Sequence, residues 1–586
     1  MKRNRLLAYF LVAGLRLVAA PAEFDHWVDR FTDDWVRLDP ELATQSQYFT
    51  GAEQDVLDRA LTPITDEARG ARVALARRGV NELARFKRSE LDSTQRISAD
   101  MLGWQLDAII RADEFENYTY VFEQFNGLQV GLVKFLTQTH PIRQRRDVEN
   151  YLARLQLVAA RMEEGIVQAN RRAELGFIPP DFILRSTLAQ FDRFLADEPG
   201  KNVLVVSLDE RAAKVITLSA TERAEFVASA ERTVREQIIP AFQRARQLLE
   251  NQLPRATADA GISRFPGGDR AYANSLHRLT TTNLSAEQIH SLGLKEVARI
   301  ETVMDGLLRQ IGYKEGSIKQ RIEKLESDLQ PPASPDPRPA LLARYEAITR
   351  DAEKRAAAMF DLRPKAPVEI RREPVFTEKS AAAHYTAPAR DGSRPGIFWA
   401  PLPGPQFEII SMRTLVYHEA VPGHHFQVAL QKELPGLPRF RGDRLFGSIS
   451  AHSEGWALYA EQLAAESGWY EGDPQGLLGQ LDDELFRARR LVVDTGIHTK
   501  GWTRQQAIDY GIKASEVERY VVWPGQACSY KIGMLKILEL RAKAQRALGA
   551  DFSIKNFHNV ILGTGTVPLD VLEHVIDDTL TAAIKR

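Results

Sequence analysis

The 586-residue sequence has one cysteine, Cys528, so no internal disulfide framework can form. It has no excess of charge of either sign: 77 basic residues stand against 78 acidic ones, for a formal net charge of −1. A surface without a dominant sign gives nucleic acid no electrostatic footprint, and none is expected as a partner. No apolar run reaches the ~20 residues that a membrane-spanning helix takes, so stable membrane insertion is not expected. No repeat period is visible either. The rest is ordinary for a globular protein, with 44% hydrophobic and 26% charged residues. At this length one small core does not suffice, and two lobes are expected.

At the N-terminus Lys2, Arg3 and Arg5 precede a short apolar run from Leu6 to Leu15, and Ala20-Pro21-Ala22 follows. That order is the pattern of a secretory signal peptide over residues 1–22 and predicts a periplasmic or secreted protein. Arg16 interrupts the run, and if the segment is no signal the protein stays cytoplasmic. No cysteine lies nearby to carry a lipid.

From residue 23 to about 330 the pattern is helical and is read as an N-terminal lobe. Asp147 to Ala173 carries apolar residues at helical spacing. The arginines just before it, Arg143, Arg145 and Arg146, are read as a solvated approach to that helix. Ser219 and Glu222 form a capping-box pattern that opens a helix toward Leu253, bent at Pro240; Ser285 and Gln288 open another, to Ile311. Asn202 to Leu208 reads as a strand. The proline-rich stretch Pro331 to Pro339 leads to residues 331–586, expected to carry the active site within one continuous unit. Beyond a helix from Ala340 to about Phe360, Val368–Arg371 and Gly396–Trp399 are extended, with a turn signal from Asp391 to Gly396. They predict a small sheet beside the active-site helices, which either holds an extended peptide at its edge or is purely structural.

The chemistry concentrates in Tyr417-His418-Glu419-Ala420-Val421-Pro422-Gly423-His424-His425-Phe426-Gln427. Two imidazoles beside a carboxylate suit a zinc ion, and the familiar helical form spaces the histidines at i and i+4. His418 and His424 are six apart, about 240° around an ideal helix; His418 and His425 share a face but are separated by a rise of about 10.5 Å. Neither pair meets on an undisturbed helix. Pro422 gives no N–H to the His418 carbonyl, so the helix should kink or bulge there; looping out two residues would restore an i,i+4-like relation for His418 and His424. His425 remains a rival ligand. A third ligand is at hand in Glu454, within Ala451-His452-Ser453-Glu454-Gly455-Trp456-Ala457-Leu458-Tyr459-Ala460-Glu461, because two histidines and one glutamate are a standard catalytic zinc set.

His-Glu-Ala-Val-Pro-Gly-His-His followed by Ser-Glu-Gly-Trp-Ala-Leu-Tyr-Ala-Glu resembles the bacterial family catalogued as domain of unknown function 885. That family is regarded as zincin-like metallopeptidases, distantly similar to carboxypeptidase Taq and angiotensin-converting enzyme. The resemblance is strongest from about Tyr385 to Gly533. It implies a mainly helical, two-lobed zincin-like fold and one zinc ion held by His418, His424 and Glu454. Glu419 would then be the general base toward a water whose pKa the zinc lowers to about 7. Related enzymes place a histidine and a tyrosine over the oxyanion, which by resemblance gives His498 and Tyr530 that role. His452 is left as a support for the ligands.

The expected activity is hydrolysis of short or unfolded peptides. A zinc amidase acting on small N-acyl amino acids and a non-catalytic peptide-binding protein are the alternatives. Arg487, Arg490 or Lys531 could hold a substrate's terminal carboxylate; a salt bridge to Asp482-Asp483-Glu484 is the other reading of the arginines, preferred for Arg487. Cys528 reads as a buried small residue rather than a nucleophile. Exo- or endo-cleavage and oligomeric state are not legible in the sequence.

Overall fold

The computed structural model describes residues 22–374, 378, 381–389, 392 and 394–585. Residues 1–21 of the signal-peptide reading, and Asp391 and Ser393 of the turn, lie outside the described residues. Among the described residues the chain is mainly helical with one small sheet, as its patterning predicts.

Side chains set the helix starts. Ser219 accepts the Glu222 N–H while Glu222 accepts the Ser219 N–H, opening Ala220–Thr233. Ser285 and Gln288 do the same for Ala286–Gln310. Such caps are each worth about 1 kcal/mol. Before Pro240 the helix widens into a π turn, Val234–Ile238, and Pro240 then sits in the first turn of Ile239–Gln252, where its missing N–H costs no helical bond. Arg145 and Arg146 are spent on exposed ion pairs with Glu149, Glu222 and Asp55.

The strand expected from Asn202 to Leu208 is instead the helix Val203–Ala212. Asn202 accepts the Leu204 N–H at 3.1 Å, and Leu204, Val205, Leu208 and Ala212 are buried at helical spacing. A short apolar run fits either period, and the asparagine cap decides it.

The main core joins residues 24–106 to residues 341–580, so packing does not divide at the proline-rich stretch near residue 330. A second core lies mostly within residues 122–249, and a third packs Val297–Leu325 on Leu478–Val492. The helices Ser450–Glu466 and Gln526–Leu548 touch backbone to backbone, and glycine permits it. A Cβ on Gly455 would stand 2.4 Å from the Gly533 carbonyl carbon, and one on Gly533 1.8 Å from the Ala451 oxygen.

The sheet has the order β1 (Val368–Arg372), β3 (Gly396–Ala400), β2 (His384–Thr386). β1 runs parallel to β3 with Val368 opposite Gly396; β2 is antiparallel, with His384 opposite Trp399. The two segments expected to be extended are therefore parallel neighbours, and β2, unforeseen in the sequence, pairs with the far side of β3. Both β2 and β3 pack on the turn that carries His418.

Candidate metal centre

The helix that begins at Met412 passes into a π turn over Val416–Ala420, leaves helical geometry at Val421, and restarts as His424–Glu433. Pro422 thus separates two helical segments instead of bulging one. Gly423 lets the chain double back over the first segment, since a Cβ there would lie 1.9 Å from the His418 carbonyl oxygen and 2.3 Å from that of Tyr417. Trp456 Nε1 donates to the Pro422 carbonyl at 2.9 Å and ties the break to the helix bearing Glu454. The His418 and His424 rings end 4.8 Å apart at 88°.

His418, His424 and Glu454 converge, with one ligand atom from each lying within 4.8 Å of the others. Glu454 Oε2 is 3.7 Å from His418 Nε2 and 3.4 Å from His424 Nε2. Tetrahedral zinc, ~2.0–2.1 Å from each donor, needs donors about 3.4 Å apart. The donor chemistry and spacing fit that ion.

Behind this group, His418 Nδ1 donates to Glu461 Oε1 at 2.6 Å, and Glu461 Oε2 accepts from Thr414 Oγ1 at 2.6 Å. The bond fixes the tautomer that offers Nε2 forward. Glu461 was not singled out as a site residue in the sequence, yet its signal is there: it follows Glu454 by seven residues, two helical turns on the same face. One helix therefore grips the His418 ring from both ends. Burial would lower the His418 pKa, but hydrogen bonds to Glu454 and Glu461 and the charges of Glu419 and Glu461 raise it to about 10. Burial pushes the Glu454 carboxyl up, and the two imidazoles more than reverse this, holding it well below the ordinary range.

His425 points elsewhere. Its Nδ1 lies 2.9 Å from the Tyr385 hydroxyl on β2, and burial lowers its pKa to about 4. Glu419 is buried and has neither a hydrogen bond nor an ion pair among the described residues. Burial raises its pKa, and Glu454 adds to this while His418 and His424 oppose it.

Tyr530 stands on Gln526–Leu548 one turn before Gly533, on the helix packed against the one that carries Glu454. Its ring covers the Arg490 guanidinium at 4.6 Å, and its hydroxyl has no hydrogen-bond partner among the described residues. His498 is placed otherwise than expected. Its Nδ1 accepts the Ile262 N–H at 3.1 Å and its Nε2 donates to the Tyr520 carbonyl at 3.1 Å. Both nitrogens are committed to backbone, so none is left to stabilise an oxyanion. His452 is likewise tied to the backbone of Val567, 2.9 Å from its oxygen and 3.1 Å from its nitrogen, and does not support a ligand.

The cations considered for a terminal carboxylate are all engaged. Arg487 pairs with Asp483 at 2.7 Å and Arg490 with Glu516 at 2.7 Å. Lys531, fully buried, lies 2.6 Å from Glu484 and 3.1 Å from Glu296. Cys528 is buried, and burial with the nearby Asp494 raises its thiol pKa well above the usual value.

Residues 40–576 match the profile of a family described as "Bacterial protein of unknown function (DUF885)". No curated protein matches the chain. A crystal structure from Colwellia psychrerythraea, described as a candidate lipoprotein, is 31% identical with a TM-score of 0.87, over 94% of this chain and 99% of that one. A candidate lipoprotein of unknown function from Shewanella oneidensis is 19% identical with a TM-score of 0.70, over 95% of this chain and 99% of that one. A candidate oligoendopeptidase F from Bacillus anthracis str. Ames aligns over 95% of this chain and 96% of that one at 12% identity. Its TM-score of 0.27 is too low to support a common fold.

Proposed function

The chain belongs to the DUF885 family of bacterial proteins of unknown function, and from its site we propose that it is a zinc peptidase acting on short or unfolded peptides. The observation that carries this reading is the convergence of His418, His424 and Glu454, with Glu461 orienting His418 from behind. Zinc held by these three residues would polarise a substrate carbonyl and acidify a water. Glu419, a carboxylate without a partner among the described residues and with a raised pKa, is suited to take the proton from attacking water and deliver it to the leaving amine. The uncommitted Tyr530 hydroxyl is the donor we assign to the oxygen on which negative charge grows. His498 drops out of that role.

We also propose export. The N-terminal pattern of a basic region, an apolar run and small residues supports it, and so does the description of the 31%-identical Colwellia protein as a candidate lipoprotein.

Elemental mass spectrometry on purified protein tests the metal: about one zinc per chain is expected, and none in Glu454→Ala. A peptide-library digest tests the reaction, with activity lost to chelator and regained with zinc. Glu419→Ala should keep zinc and lose ~10²–10⁴-fold in turnover. Zinc binding without cleavage of any peptide would make the chain a binding protein.

A further inference from the structure

The three cations that the sequence offers to a substrate carboxylate are already paired, but a fourth, Arg444, has no carboxylate partner among the described residues. It follows the short helix Arg439–Gly442 and takes a left-handed backbone, φ 55°. Its neighbours hold it there. Leu445 and Phe446 are buried in the main core, where Phe446 meets the rings of Phe31 and Phe440, and the Gly447 N–H donates to the Arg444 carbonyl at 3.0 Å. The Arg444 side chain reaches Gln431 and Thr566, both buried.

Those contacts are weak. Nη2 lies 3.5 Å from Gln431 Oε1 and 3.4 Å from Thr566 Oγ1, and no carboxylate pairs with Arg444 among the described residues. Gln431 stands two turns after His424 on the same helix face, so this guanidinium belongs to the side of that helix on which the ligand sits. Burial lowers the Arg444 pKa, against the opposing charge of Glu454; Tyr385 is the other group that acts on it, and Arg444 in turn acts on His452. A zinc ion would draw on the charge of Glu454, leaving a half-buried cation that needs an anion.

Resting on the peptidase reading, we propose that Arg444 is the substrate-carboxylate anchor, binding a free carboxylate of a peptide laid across Glu454. A planar guanidinium suits that group. The carboxylate is either the C-terminus, which would make the enzyme act near chain ends, or an acidic side chain.

The test is calorimetric binding to zinc-loaded Glu419→Ala protein, which needs no turnover. The probes are tri-alanine, tri-alanine amide and Ala-Glu-Ala amide. Tri-alanine should bind about tenfold or more tighter than its amide, as a charge-assisted pair implies. Arg444→Gln should erase that preference, and Arg444→Lys should keep part of it. Tight binding of Ala-Glu-Ala amide alone would assign the anchor to acidic side chains. Three results overturn the proposal: neither carboxylate-bearing probe binding tighter than tri-alanine amide, a preference that survives Arg444→Gln, or no binding of any probe. If Arg444→Gln does not fold, a preference undiminished in Arg444→Lys overturns it as well. Hydrolysis by the unsubstituted enzyme is measured separately. An Arg444-dependent preference without hydrolysis would end the peptidase reading and leave the anchor standing.

Discussion

Glu461 shows how much a single carboxylate can do from behind a candidate metal centre. It holds the His418 ring at 2.6 Å and is itself held by Thr414. Glu461→Gln keeps the shape but can no longer accept the Nδ1 proton as an anion. Zinc affinity should fall ~10–100-fold, read by competition with a chelating dye; an unchanged affinity would remove Glu461 from the metal's support. The adjacent histidines should separate cleanly. His424→Ala should abolish zinc binding, whereas His425→Gln should retain it, because His425 is turned to Tyr385. The donor types that converge in the cluster, two histidines and a glutamate, were readable in the sequence. The choice between His424 and His425 was not, since it depends on the dihedral angles of three residues, Val421 to Gly423, that no periodicity describes. His498 and His452 misled for a related reason: a histidine in a helix carries no sign of whether its nitrogens will meet backbone or substrate.

Among the elements, the interrupted helix around Pro422 and the glycine contact between two long helices decide the site. Gly423→Ala forces a methyl to within 1.9 Å of a backbone oxygen. Neither partner can yield easily, so a destabilisation of about 3 kcal/mol or more is expected together with loss of zinc. Chemical denaturation and metal analysis of the same sample would check both, and a stable, zinc-replete variant would contradict the account of the break. Gly533→Ala should cost about 1–3 kcal/mol by parting the helices that bear Glu454 and Tyr530. The long helices were legible because capping boxes at Ser219 and Ser285 coincide with apolar spacing. The segment from Asn202 was misread because its valines suit either period, and β2 escaped notice because three residues are too few to show one.

At the scale of the whole molecule, buried neutral histidines are a destabilising part of the acid response. Burial lowers His140 to about 3, and His425, His452, His498 and His558 to about 4, from 6.5. As pH falls from 6.5 toward 4 the unfolded chain takes up these protons and the folded one does not, so stability declines across that window. Each site contributes up to about 3 kcal/mol. Asp483 and Asp494, raised to about 7 by burial, act the other way, because the folded state keeps their protons where the unfolded state has lost them. Glu419 and other carboxylates raised by burial, such as Glu123 and Asp482, oppose the histidines in the same sense, so the histidine share is read by comparison with a variant that lacks one ring. Between pH 6.5 and 4 the thermal unfolding midpoint should lose less, or gain more, in His558→Gln than in the unsubstituted protein; parallel profiles would contradict the burial assigned to this ring.

The sequence by itself determined the helical class, the inventory of candidate metal donors and the point at which the helix is disturbed, because these follow from residue type and short-range spacing. The tertiary structure decided which histidine joins the cluster, which carboxylate stands behind it and which arginine, Arg444, has no carboxylate partner among the described residues. Those outcomes depend on where helices distant in sequence cross. Residues 24–106 share a core with residues 341–580, and a methyl's worth of space between Gly455 and Gly533 sets how closely Glu454 and Tyr530 are carried together. Local pattern cannot encode such distances, since each is the sum of many packing contacts.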